Sequence, residues 1–486
     1  MNINHLNVGI MHSLVGKNDG VSIVIDQTVN ALVDYFSVGL GNIFFLAAHT
    51  SPRFNAITDD VFWHKSQTHK IIIENYSKEA KIDLNELDEL IHTQALYAKE
   101  IIKEWVNKNQ IDLIMAHNTS HPYNFITAVG LGYYFEELIE QGIIWPKLLV
   151  WWHDSYWERP IFKNPNRIIK KYLKYLPGTY VDGIVFINKT QIKMGKEVFT
   201  NFNNRKMESF FRNRAIIIPN TSKIHWDWES YNWRGHSAIY PPQDNYNDDF
   251  FEDIGLLDAI KKEGFTLDDT VILLQHTRIV PRKKIEVALD FAYEIEKRYK
   301  KDGVNKCVAL VVSGHSGDEG VSYKRMLFQH YHNKKVNNPD SRVILIFGEG
   351  VILSHRDIIV DKKYYKFSEI PDVIAAHNGL ATYFSEIEGF GNNLLEVLSA
   401  GLPAAINKYE VYKTDIECLG FKLPTIDECR LNEKVIEESY KILTNQEYRN
   451  EINKHNLETL YRQLGHQIIA EKLRPLIINM FTQIVK

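Results

Sequence analysis

Cysteine is scarce in this chain of 486 residues, which contains three. Cys307, Cys418 and Cys429 are too few and too scattered for a disulfide framework or a closed zinc site. We therefore expect reduced thiols in the core or on the surface, and no fold that depends on disulfide bonds.

Long apolar runs and an excess of one charge are also missing. No segment offers about 18 uninterrupted apolar residues, and MNINHLNVGIMHS at the start has no basic leader. The formal net charge is −4, which gives no field that would attract a nucleic acid. These absences predict a cytoplasmic globular protein without a nucleic-acid partner. Its length exceeds one ordinary hydrophobic core, so we expect two domains.

The most informative stretch, residues 379–403, predicts a strand, a glycine-containing loop and a helix. Residues 379–385 are apolar and favour a buried strand, and the loop 386–391 follows. Either Asn392 or Asn393 is expected to cap the helix. A helix start offers free backbone N–H groups and the positive end of a dipole, and glycines let a ligand approach the backbone closely. The pattern therefore predicts a phosphate-binding loop.

Two carboxylates flank that loop, because Glu388 precedes the helix and Glu396 lies about one turn inside it. A carboxylate repels phosphate but accepts hydrogen bonds from hydroxyl groups, so an acid pair beside a phosphate-binding loop fits a nucleotide-sugar. The alternative is an ordinary strand-to-helix turn with a solvated Glu388 and a helix-surface Glu396.

The spacing of these two residues is E-x7-E, within EGFG, LLE and AGLP segments. In this respect the chain resembles the retaining glycosyltransferases of family 4, which have the GT-B fold. The resemblance covers nearly the whole chain and is strongest across 270–405. It implies an α/β protein with two doubly wound Rossmann-like domains facing a central cleft. The implied parts are an acceptor-side domain (1–220), an interdomain connection (221–255), a nucleotide-sugar-binding domain (256–465) and a C-terminal helix crossing back to the first domain (466–486).

Alternating strand and helix patterns in the N-terminal half are consistent with that fold, since they predict a parallel, doubly wound sheet. Ligands of such sheets collect beyond the carboxyl ends of the strands. Four polar residues, His12, His117, His153 and Asn188, fall at such ends.

The resemblance assigns His153 to the donor sugar, near the carbon that is transferred. Asp154 is expected to orient His153 or to receive an acceptor hydroxyl, and a structural ion pair with Arg159 is the alternative. His117 is a weaker candidate for the same orienting or acceptor role. His12 is a candidate for a different role, that of general base, because inverting GT-B enzymes place a general-base histidine just after the first strand.

A glycine-rich turn after the first strand approaches the donor phosphates or the acceptor in the resembled family. Gly20 matches its second glycine, Asp19 replaces the first, and Gly16 is the nearest substitute. A plain strand-to-helix turn is the alternative.

In the C-terminal half, Arg278 and Lys283 have the R-x4-K spacing with which the family holds the donor diphosphate. Cations where negative charge accumulates would lower the barrier to expelling a nucleoside diphosphate. Lys284 occupies a position that is usually glycine. Without the acidic motif, RIVPRKK would be a solvated turn. The glycines of GHSGDEG match neither the dinucleotide fingerprint nor a P-loop.

The resemblance thus implies a set of site residues without a metal. The catalytic ones are His153, Arg278, Lys283 and Glu388; the donor-binding ones are Gly20, Arg278, Lys283, Gly389, Phe390, Gly391, Asn392 and Glu396; the acceptor-side ones are Asp154 and His117.

The implied activity belongs to carbohydrate biosynthesis. A hexose would move, with retention and without a metal or other cofactor, from a nucleotide-diphospho-sugar to a hydroxyl of a small molecule, a glycan or a lipid-linked glycan. No carboxylate offers itself as a nucleophile, which favours front-face attack over double displacement. The alternatives are a GT-B sugar phosphorylase and a non-catalytic sugar-nucleotide- or glycan-binding protein.

Two surface features leave alternatives open. Residues 163–175 combine basic and apolar side chains in a pattern that fits either a peripheral membrane contact or a solvated helix face. The aromatic residues Trp151, Trp152, Tyr156 and Trp157 would either stack on a sugar acceptor or pack in the core. The nucleotide base, the sugar, the acceptor and the oligomeric state have no sequence signal.

Overall fold

The computed structural model describes residues 3–17, 19–51, 54, 56–176, 180–202, 213–222, 245–316 and 320–482. The chain divides into two compact units: unit 1 comprises Met1–Thr221 with His466–Lys486, and unit 2 comprises Ser222–Gly465. Of the predicted connection 221–255, residues 223–244 lie outside the described residues, as does Gly317 of GHSGDEG.

Unit 1 is built on a seven-stranded sheet whose neighbouring strands are all parallel. Its spatial order is β5-β3-β1-β6-β7-β8-β9, and a separate short parallel pair joins β2 to β4. The strands are β1 Val8–Met11, β2 Leu14–Val15, β3 Ile43–Ala47, β4 His49–Thr50, β5 Ala56–Thr58, β6 Leu113–His117, β7 Lys147–Trp152, β8 Gly183–Phe186 and β9 Ala215–Ile217.

Helices form most of the connections between these parallel strands. The first is capped by the Asp19 carboxylate, which accepts the backbone N–H groups of Val21 and Ser22. Trp105, on the third, is fully buried against the sheet, and β6 and β7 are buried along their whole length, as expected for strands covered on both faces. The helices are α1 Gly20–Phe36, α2 Gln67–Glu74, α3 Leu84–Asn109, α4 Phe125–Glu140, α5 Arg167–Tyr172 and α6 Lys189–Phe202.

Unit 2 repeats the architecture with a six-stranded parallel sheet in the order β12-β11-β10-β16-β17-β18. A separate small sheet has three strands in the order β13-β15-β14, and these strands follow β12 in the sequence. The strands are β10 Thr270–Gln275, β11 Cys307–Val312, β12 Val343–Phe347, β13 Ile352–Leu353, β14 Asp357–Ile359, β15 Lys362–Lys366, β16 Leu380–Tyr383, β17 Ala404–Asn407 and β18 Thr425–Ile426.

The helices of unit 2 bury one face against this sheet. In the long helix that follows β10, Ile285, Leu289, Ala292 and Ile295 are all fully buried at helical spacing. The helices are α7 Phe250–Asp253, α8 Leu256–Lys262, α9 Ile285–Lys301, α10 Gly320–Asn337, α11 Ile370–Ala376, α12 Asn392–Ser399, α13 Glu433–Thr444 and α14 Gln446–Leu464.

The C-terminal helix, α15 Gln467–Thr482, belongs to unit 1. Arg474 donates a hydrogen bond of 2.8 Å to the carbonyl of Tyr35, at the end of α1. A Cβ atom on Gly183, in β8, would lie 2.9 Å from the sulfur of Met480. This helix therefore packs closely on both α1 and the sheet of unit 1.

The α/β prediction is confirmed, since both units are parallel, doubly wound sheets covered by helices. No described helix is long and apolar enough to cross a bilayer. In the basic segment 163–175, the apolar residues Ile169 and Tyr172 are buried in the core of unit 1, and Lys171 pairs with Asp88. The apolar face that would enter a membrane is therefore packed inside the protein, and contact through the remaining surface of this segment stays a prediction.

Candidate active site

Each sheet has a topological switch point, the place where the strand order reverses and loops diverge to opposite sides. In unit 1 it lies between β1 and β6, and in unit 2 between β10 and β16. Such crevices at the carboxyl ends of strands are the usual ligand sites of open α/β sheets. The predicted site residues cluster after these four strands, apart from His153 and Asp154, which follow β7.

In unit 2, the basic turn after β10 and the acidic loop after β16 are joined by backbone contacts. The amide of Glu386 donates to the carbonyl of Arg282 at 2.8 Å, and the Arg282 guanidinium donates to the carbonyl of Ile387 at 2.7 Å. These two bonds hold the R-x4-K turn and the start of the E-x7-E motif together.

The turn ends in Lys284, the residue at the usual glycine position. Its backbone is left-handed, with φ of 50°, immediately before α9 begins. That conformation favours glycine, which explains the family pattern. Lys284 adopts it here and places its ammonium group 3.0 Å from the Glu386 carboxylate. The glycine replacement therefore leaves the turn intact.

Lys283 and Glu388 form a buried ion pair, with side chains that are 6% and 8% exposed. Arg282 adds a second, longer contact of 3.4 Å to the other Glu388 oxygen. Burial would raise the pKa of Glu388, but the charges of Lys283 and Arg282 outweigh it and lower that pKa. The carboxylate is thus ionised at neutral pH and held in a fixed position.

Arg278 differs from Lys283 because it is exposed to solvent. Burial is the largest cause that lowers the pKa of Lys283. The charge of Glu388 opposes this shift, and the charges of Arg282 and Arg278 add to it. The charge of Arg278 therefore reaches Lys283, which lies in the same turn after β10.

The backbone that carries Arg278 is held by a neighbouring glycine. A Cβ atom on Gly314, after β11, would lie 1.9 Å from the carbonyl oxygen of Thr277. Beside it, the amide of Ile279 donates to the carbonyl of His315 at 3.0 Å. Only glycine permits this approach of two backbones, so Gly314 fixes the position of the basic turn.

The helix α12 begins differently from the prediction. Neither Asn392 nor Asn393 is its N-cap, because Gly391 takes that position with φ of 114° and no side-chain cap. The Asn393 amide instead donates to the carbonyl of His276 at 2.7 Å. A left-handed cap needs glycine, and here a Cβ atom would also meet the Tyr409 hydroxyl at 2.3 Å. The cap prediction was wrong because the asparagine serves the neighbouring loop.

The other residues of this loop differ in exposure. The Phe390 residue is 2% exposed, and its carbonyl accepts the Tyr409 hydroxyl at 2.7 Å. Gly389 is exposed, and a Cβ atom there would meet nothing within 4 Å. The side chain of Phe390 therefore packs in the core, whereas Gly389 lies at the surface of the loop.

Glu396 contacts a histidine that the sequence analysis did not select. His276, which is fully buried after β10, places Nε2 at 3.3 Å from Glu396 and Nδ1 at 2.9 Å from the Ser313 hydroxyl. Its ring stacks on Phe367 at 3.9 Å between centroids. The sequence signal that could have identified His276 is its position at the end of the apolar strand in LLQHTR, since His117 and His153 also stand at strand ends.

In unit 1, three histidines meet at the switch point. His12 Nδ1 donates to the carbonyl of His117 at 3.2 Å, and His117 Nδ1 lies 3.0 Å from Nε2 of His153. The rings of His117 and His153 stack at 5.3 Å, and His117 also stacks on Trp151. The sequence-predicted candidates His12, His117 and His153 are thus brought together.

Burial governs the protonation of this cluster. It lowers the pKa of His153 to about 3 and, with the neighbouring His153, lowers the pKa of His117 well below its usual range. Burial also lowers the pKa of His12. All three imidazoles are therefore neutral at physiological pH. Because Nδ1 of His12 carries a proton, its Nε2 is a proton acceptor.

Asp154 forms the ion pair that was the alternative to a role in the site. Its carboxylate accepts the Arg159 guanidinium and lies 3.9 Å from Nε2 of His121. Its other oxygen accepts the amide of Ser155 at 2.9 Å. In this arrangement Asp154 is directed to Arg159, and no contact between its carboxylate and His153 is seen among the described residues.

Gly20 is the first residue of α1, directly after the capping residue Asp19. The Asp19 carboxylate satisfies the amides of Val21 and Ser22, each at 3.1 Å. This explains why aspartate stands at the usual glycine position. It also places a negative charge where a donor phosphate would bind, which disfavours phosphate at this helix start. A donor role for Gly20 stays a prediction.

The aromatic residues near His153 mostly form core. Trp151 and Trp152 are 1% and 0% exposed, whereas Tyr156 and Trp157 are partly buried against the same core. Stacking on an acceptor is therefore open only to the latter two.

No group of three or more histidine, cysteine or acidic side chains that could hold a metal ion occurs within the described ranges. Metal independence remains an expectation to be tested with a chelator.

Comparison with curated proteins finds relatives of similar length. The chain is 27% identical over 444 residues to the mannosylglucosylglycerate synthase of Petrotoga mobilis, across 87% of this chain and 86% of that protein. It is 28% identical over 343 residues to the mannosylglucosylglycerate synthase of Thermotoga maritima, across 66% and 67% of the two chains. No protein-family profile matches the chain.

Solved structures with the same fold include two that are named glycosyltransferases. Anabaena Alr3699/HepE, solved with UDP and glucose, superposes with a TM-score of 0.52 at 14% identity, across 97% of this chain and 100% of that one. A glycosyltransferase from Rickettsia africae gives a TM-score of 0.55 at 10% identity, across 98% and 100%. WaaG, a glycosyltransferase of lipopolysaccharide biosynthesis, gives 0.51 at 12% identity, across 97% and 99%.

The predicted GT-B fold is thereby confirmed. At these identities the solved structures establish the fold alone. The names of the two curated relatives support a glycosyltransferase.

Proposed function

We propose that this chain is a retaining, metal-independent hexosyltransferase of the family 4 type. It would transfer a hexose from a nucleotide-diphospho-sugar to a hydroxyl of a small glycoside. The observation that carries the proposal is the buried Lys283–Glu388 pair, with Arg278 beside it, at the switch point of unit 2. The two relatives suggest the substrates, since their name describes a mannosyl group added to glucosylglycerate.

Arg278 and Lys283 would bind the donor diphosphate, which accumulates negative charge as the glycosidic bond breaks. Fixed cations stabilise such charge without reorganisation at the moment of reaction. Lys283 is already held by Glu388, and the turn that carries Arg278 is held by Gly314. The N-terminus of α12 would present the positive end of the helix dipole to the same anion.

Glu388 and Glu396 would bind hydroxyl groups of the donor. Glu388 is ionised and oriented, so one of its oxygens can accept from the transferred sugar while Lys283 holds the carboxylate in place. Glu396 is 25% exposed and is steadied by His276, which suits a contact with the ribose hydroxyls.

On the side of unit 1, His153 would contact the transferred sugar as a neutral imidazole. Its Nε2 is engaged with His117, so His153 acts as an oriented donor or acceptor of hydrogen bonds rather than as a cation. Retention would follow from front-face attack, with a donor phosphate oxygen taking the acceptor proton. The Asp154 carboxylate is paired with Arg159, which disfavours its use as a nucleophile or base.

A donor screen tests the proposal. UDP-, GDP- and ADP-hexoses would be offered with glucosylglycerate, with and without EDTA, and the anomeric configuration of the product read by NMR. We expect one nucleotide to be preferred, turnover to resist EDTA and the donor configuration to be retained. Inversion would exclude the retaining mechanism, and phosphate-dependent release of sugar 1-phosphate would indicate a phosphorylase instead.

The variants Arg278→Ala and Glu388→Ala test whether these two residues belong to the active site. Each should lower kcat/KM by about 10²- to 10³-fold, as removal of a preorganised charge-stabilising group does elsewhere. Arg430→Ala and Glu447→Ala, which remove exposed charges of unit 2, serve as matched controls and should leave kcat/KM unchanged. Wild-type kinetics in Arg278→Ala would exclude its role at the diphosphate.

A further inference from the structure

An open groove of about 780 Å³ lies in unit 1 and has no part in the site described above. It is built on the short pair β2–β4, in which Leu14 lies opposite His49. Trp63 contributes an aromatic wall and contacts the edge of the His49 ring at 4.7 Å between centroids. Regular backbone and ring packing therefore give this groove a defined shape.

The charge of the groove is of one sign. Its described lining includes Lys17, Lys65, His49 and His64 but no acidic side chain. Neither lysine forms an ion pair with another described residue. Since the whole chain carries a formal charge of −4, this cationic lining is a local feature and not a consequence of composition.

The carboxylate whose charge reaches His64 is already engaged. Asp19 accepts the amides of Val21 and Ser22 and the hydroxyl of Ser22, in capping α1. Burial is the largest cause that lowers the pKa of His64 to about 4; the Lys65 charge adds to the shift and the Asp19 charge opposes it. The His64 ring is therefore neutral near pH 7 and acts as a hydrogen-bonding group.

His64 is fixed by a single serine. Its backbone amide donates to the Ser13 hydroxyl at 3.0 Å, and that hydroxyl lies 2.8 Å from Nδ1 of the same ring. With Ser13 donating to Nδ1, the ring carries its proton on Nε2 and is a hydrogen-bond donor. Ser13 directly follows His12, so the groove adjoins the imidazole cluster of His12, His117 and His153.

We propose that this groove binds the anionic end of the acceptor. The inference rests on the proposed function, in which an acceptor hydroxyl attacks the sugar that His153 contacts. Lys17 and Lys65 supply two cations, His64 supplies a neutral donor, and Trp63 supplies an apolar face for the carbon skeleton. The groove would bind a carboxylate, as glycerate offers, or a phosphate ester, and would select against an acceptor of the same shape without the charge.

Paired acceptors separate charge from shape. Glucosylglycerate would be compared with glucosylglycerol, in which a hydroxymethyl group replaces the carboxylate, and with glucose 6-phosphate. For wild type we expect the KM of glucosylglycerate to be at least tenfold below that of glucosylglycerol and to rise with salt. A lower KM for glucose 6-phosphate would assign the groove to a phosphate ester. Equal KM values for the three acceptors would overturn the proposal.

Substitutions then locate the contact. Lys17→Ala combined with Lys65→Ala should raise the KM of glucosylglycerate about tenfold or more, while the KM values of the donor and of glucosylglycerol stay within about twofold. Lys108→Ala removes an exposed lysine of the same unit and is the matched control. A similar rise in the KM values of both acceptors would show a loss of shape, not of charge recognition, and would contradict the proposal.

A binding measurement keeps the groove testable if no transfer occurs. Calorimetry with D-glycerate, inorganic phosphate and uncharged glycerol would be run on wild type and on the two-lysine variant, without donor. Binding of either anion that is lost in the variant supports the groove even when the proposed function fails. Transfer to glucosylglycerate with unchanged kinetics in the variant would support the proposed function and exclude the groove.

Discussion

The switch points of the two units both bury ionisable side chains, but they limit the cost of buried charge in different ways. In unit 2, a lysine and a glutamate are buried as ions and stabilise one another. In unit 1, buried histidines avoid the cost of charge by losing their protons, and their pKa values fall accordingly. An ion pair depends on both partners at every pH near neutrality, whereas a neutral imidazole depends on the pH itself. The two units should therefore fail under different perturbations.

The largest effect is expected from breaking the ion pair. Lys283→Met leaves Glu388 buried without its partner and should lower the free energy of unfolding by about 3–5 kcal/mol. Urea unfolding followed by circular dichroism measures this change.

A double variant provides the control for this pair. Lys283→Met with Glu388→Leu removes both charges and should be more stable than either single variant, although inactive. If the two single losses simply add in the double variant, the pair is not coupled and the contrast between the units disappears.

The second effect concerns how the basic turn is held. Gly314→Ala would force a Cβ atom against the Thr277 carbonyl and should cost about 3 kcal/mol while weakening donor binding. Gly350→Ala is the matched control, because a Cβ atom there meets nothing within 4 Å. Differential scanning calorimetry and donor titration measure the two consequences. Unchanged donor affinity in a destabilised Gly314→Ala protein would separate the turn from the donor site.

The third effect is specific to unit 1 and appears on acidification. Burial, and then the charge of His64, lower the pKa of His69 to about 4. His69 is therefore protonated below about pH 6.5 in the unfolded chain but only below about pH 4 in the folded protein. Stability is therefore complete above pH 6.5 and is lost as the pH falls, by about 1.4 kcal/mol per pH unit for this residue, or about 2 kcal/mol at pH 5.

Substitution at His69 tests this pH dependence. His69 is fully buried, and its ring accepts the amide of Ile126 at 3.4 Å and contacts the Ser66 hydroxyl at 3.0 Å. His69→Gln keeps polar groups but cannot titrate, so its unfolding free energy should fall less steeply between pH 7 and pH 5. The same slope in wild type and variant would show that other groups govern the acid sensitivity. His5→Gln, which changes an exposed histidine of the same unit, is the substitution control.

The regular elements were predictable because their signal is local. Five strands coincide with short runs rich in apolar residues, as the alternating strand and helix pattern predicts. Parallel strands buried on both faces produce such runs. The strands are Ile43–Ala47, Lys147–Trp152, Thr270–Gln275, Val343–Phe347 and Ala404–Asn407.

The candidate site was predictable in its membership but not in its contacts. The sequence indicated Lys283 and Glu388, yet their pairing depends on two loops separated by more than a hundred residues. The cap of α12 and the role of His276 depend likewise on tertiary contacts, since Asn393 is directed to the loop that carries His276. A side chain's partner is set by the fold, and no local pattern encodes it.

The smallest effect concerns Lys284, where the site departs from the resembled family. Its left-handed backbone costs a non-glycine residue on the order of 1 kcal/mol, which Lys284→Gly would recover. The variant also loses the contact with Glu386, but that glutamate is half exposed, and surface pairs contribute little. We therefore expect Lys284→Gly to be as stable as wild type or more stable by under 1 kcal/mol, with unchanged donor kinetics. Lys284→Val should be less stable, because a branched side chain tolerates this backbone poorly. Chemical denaturation of the three proteins decides the question: a marked loss in Lys284→Gly would mean that the ammonium group, and not the backbone geometry, holds the turn beside the buried ion pair.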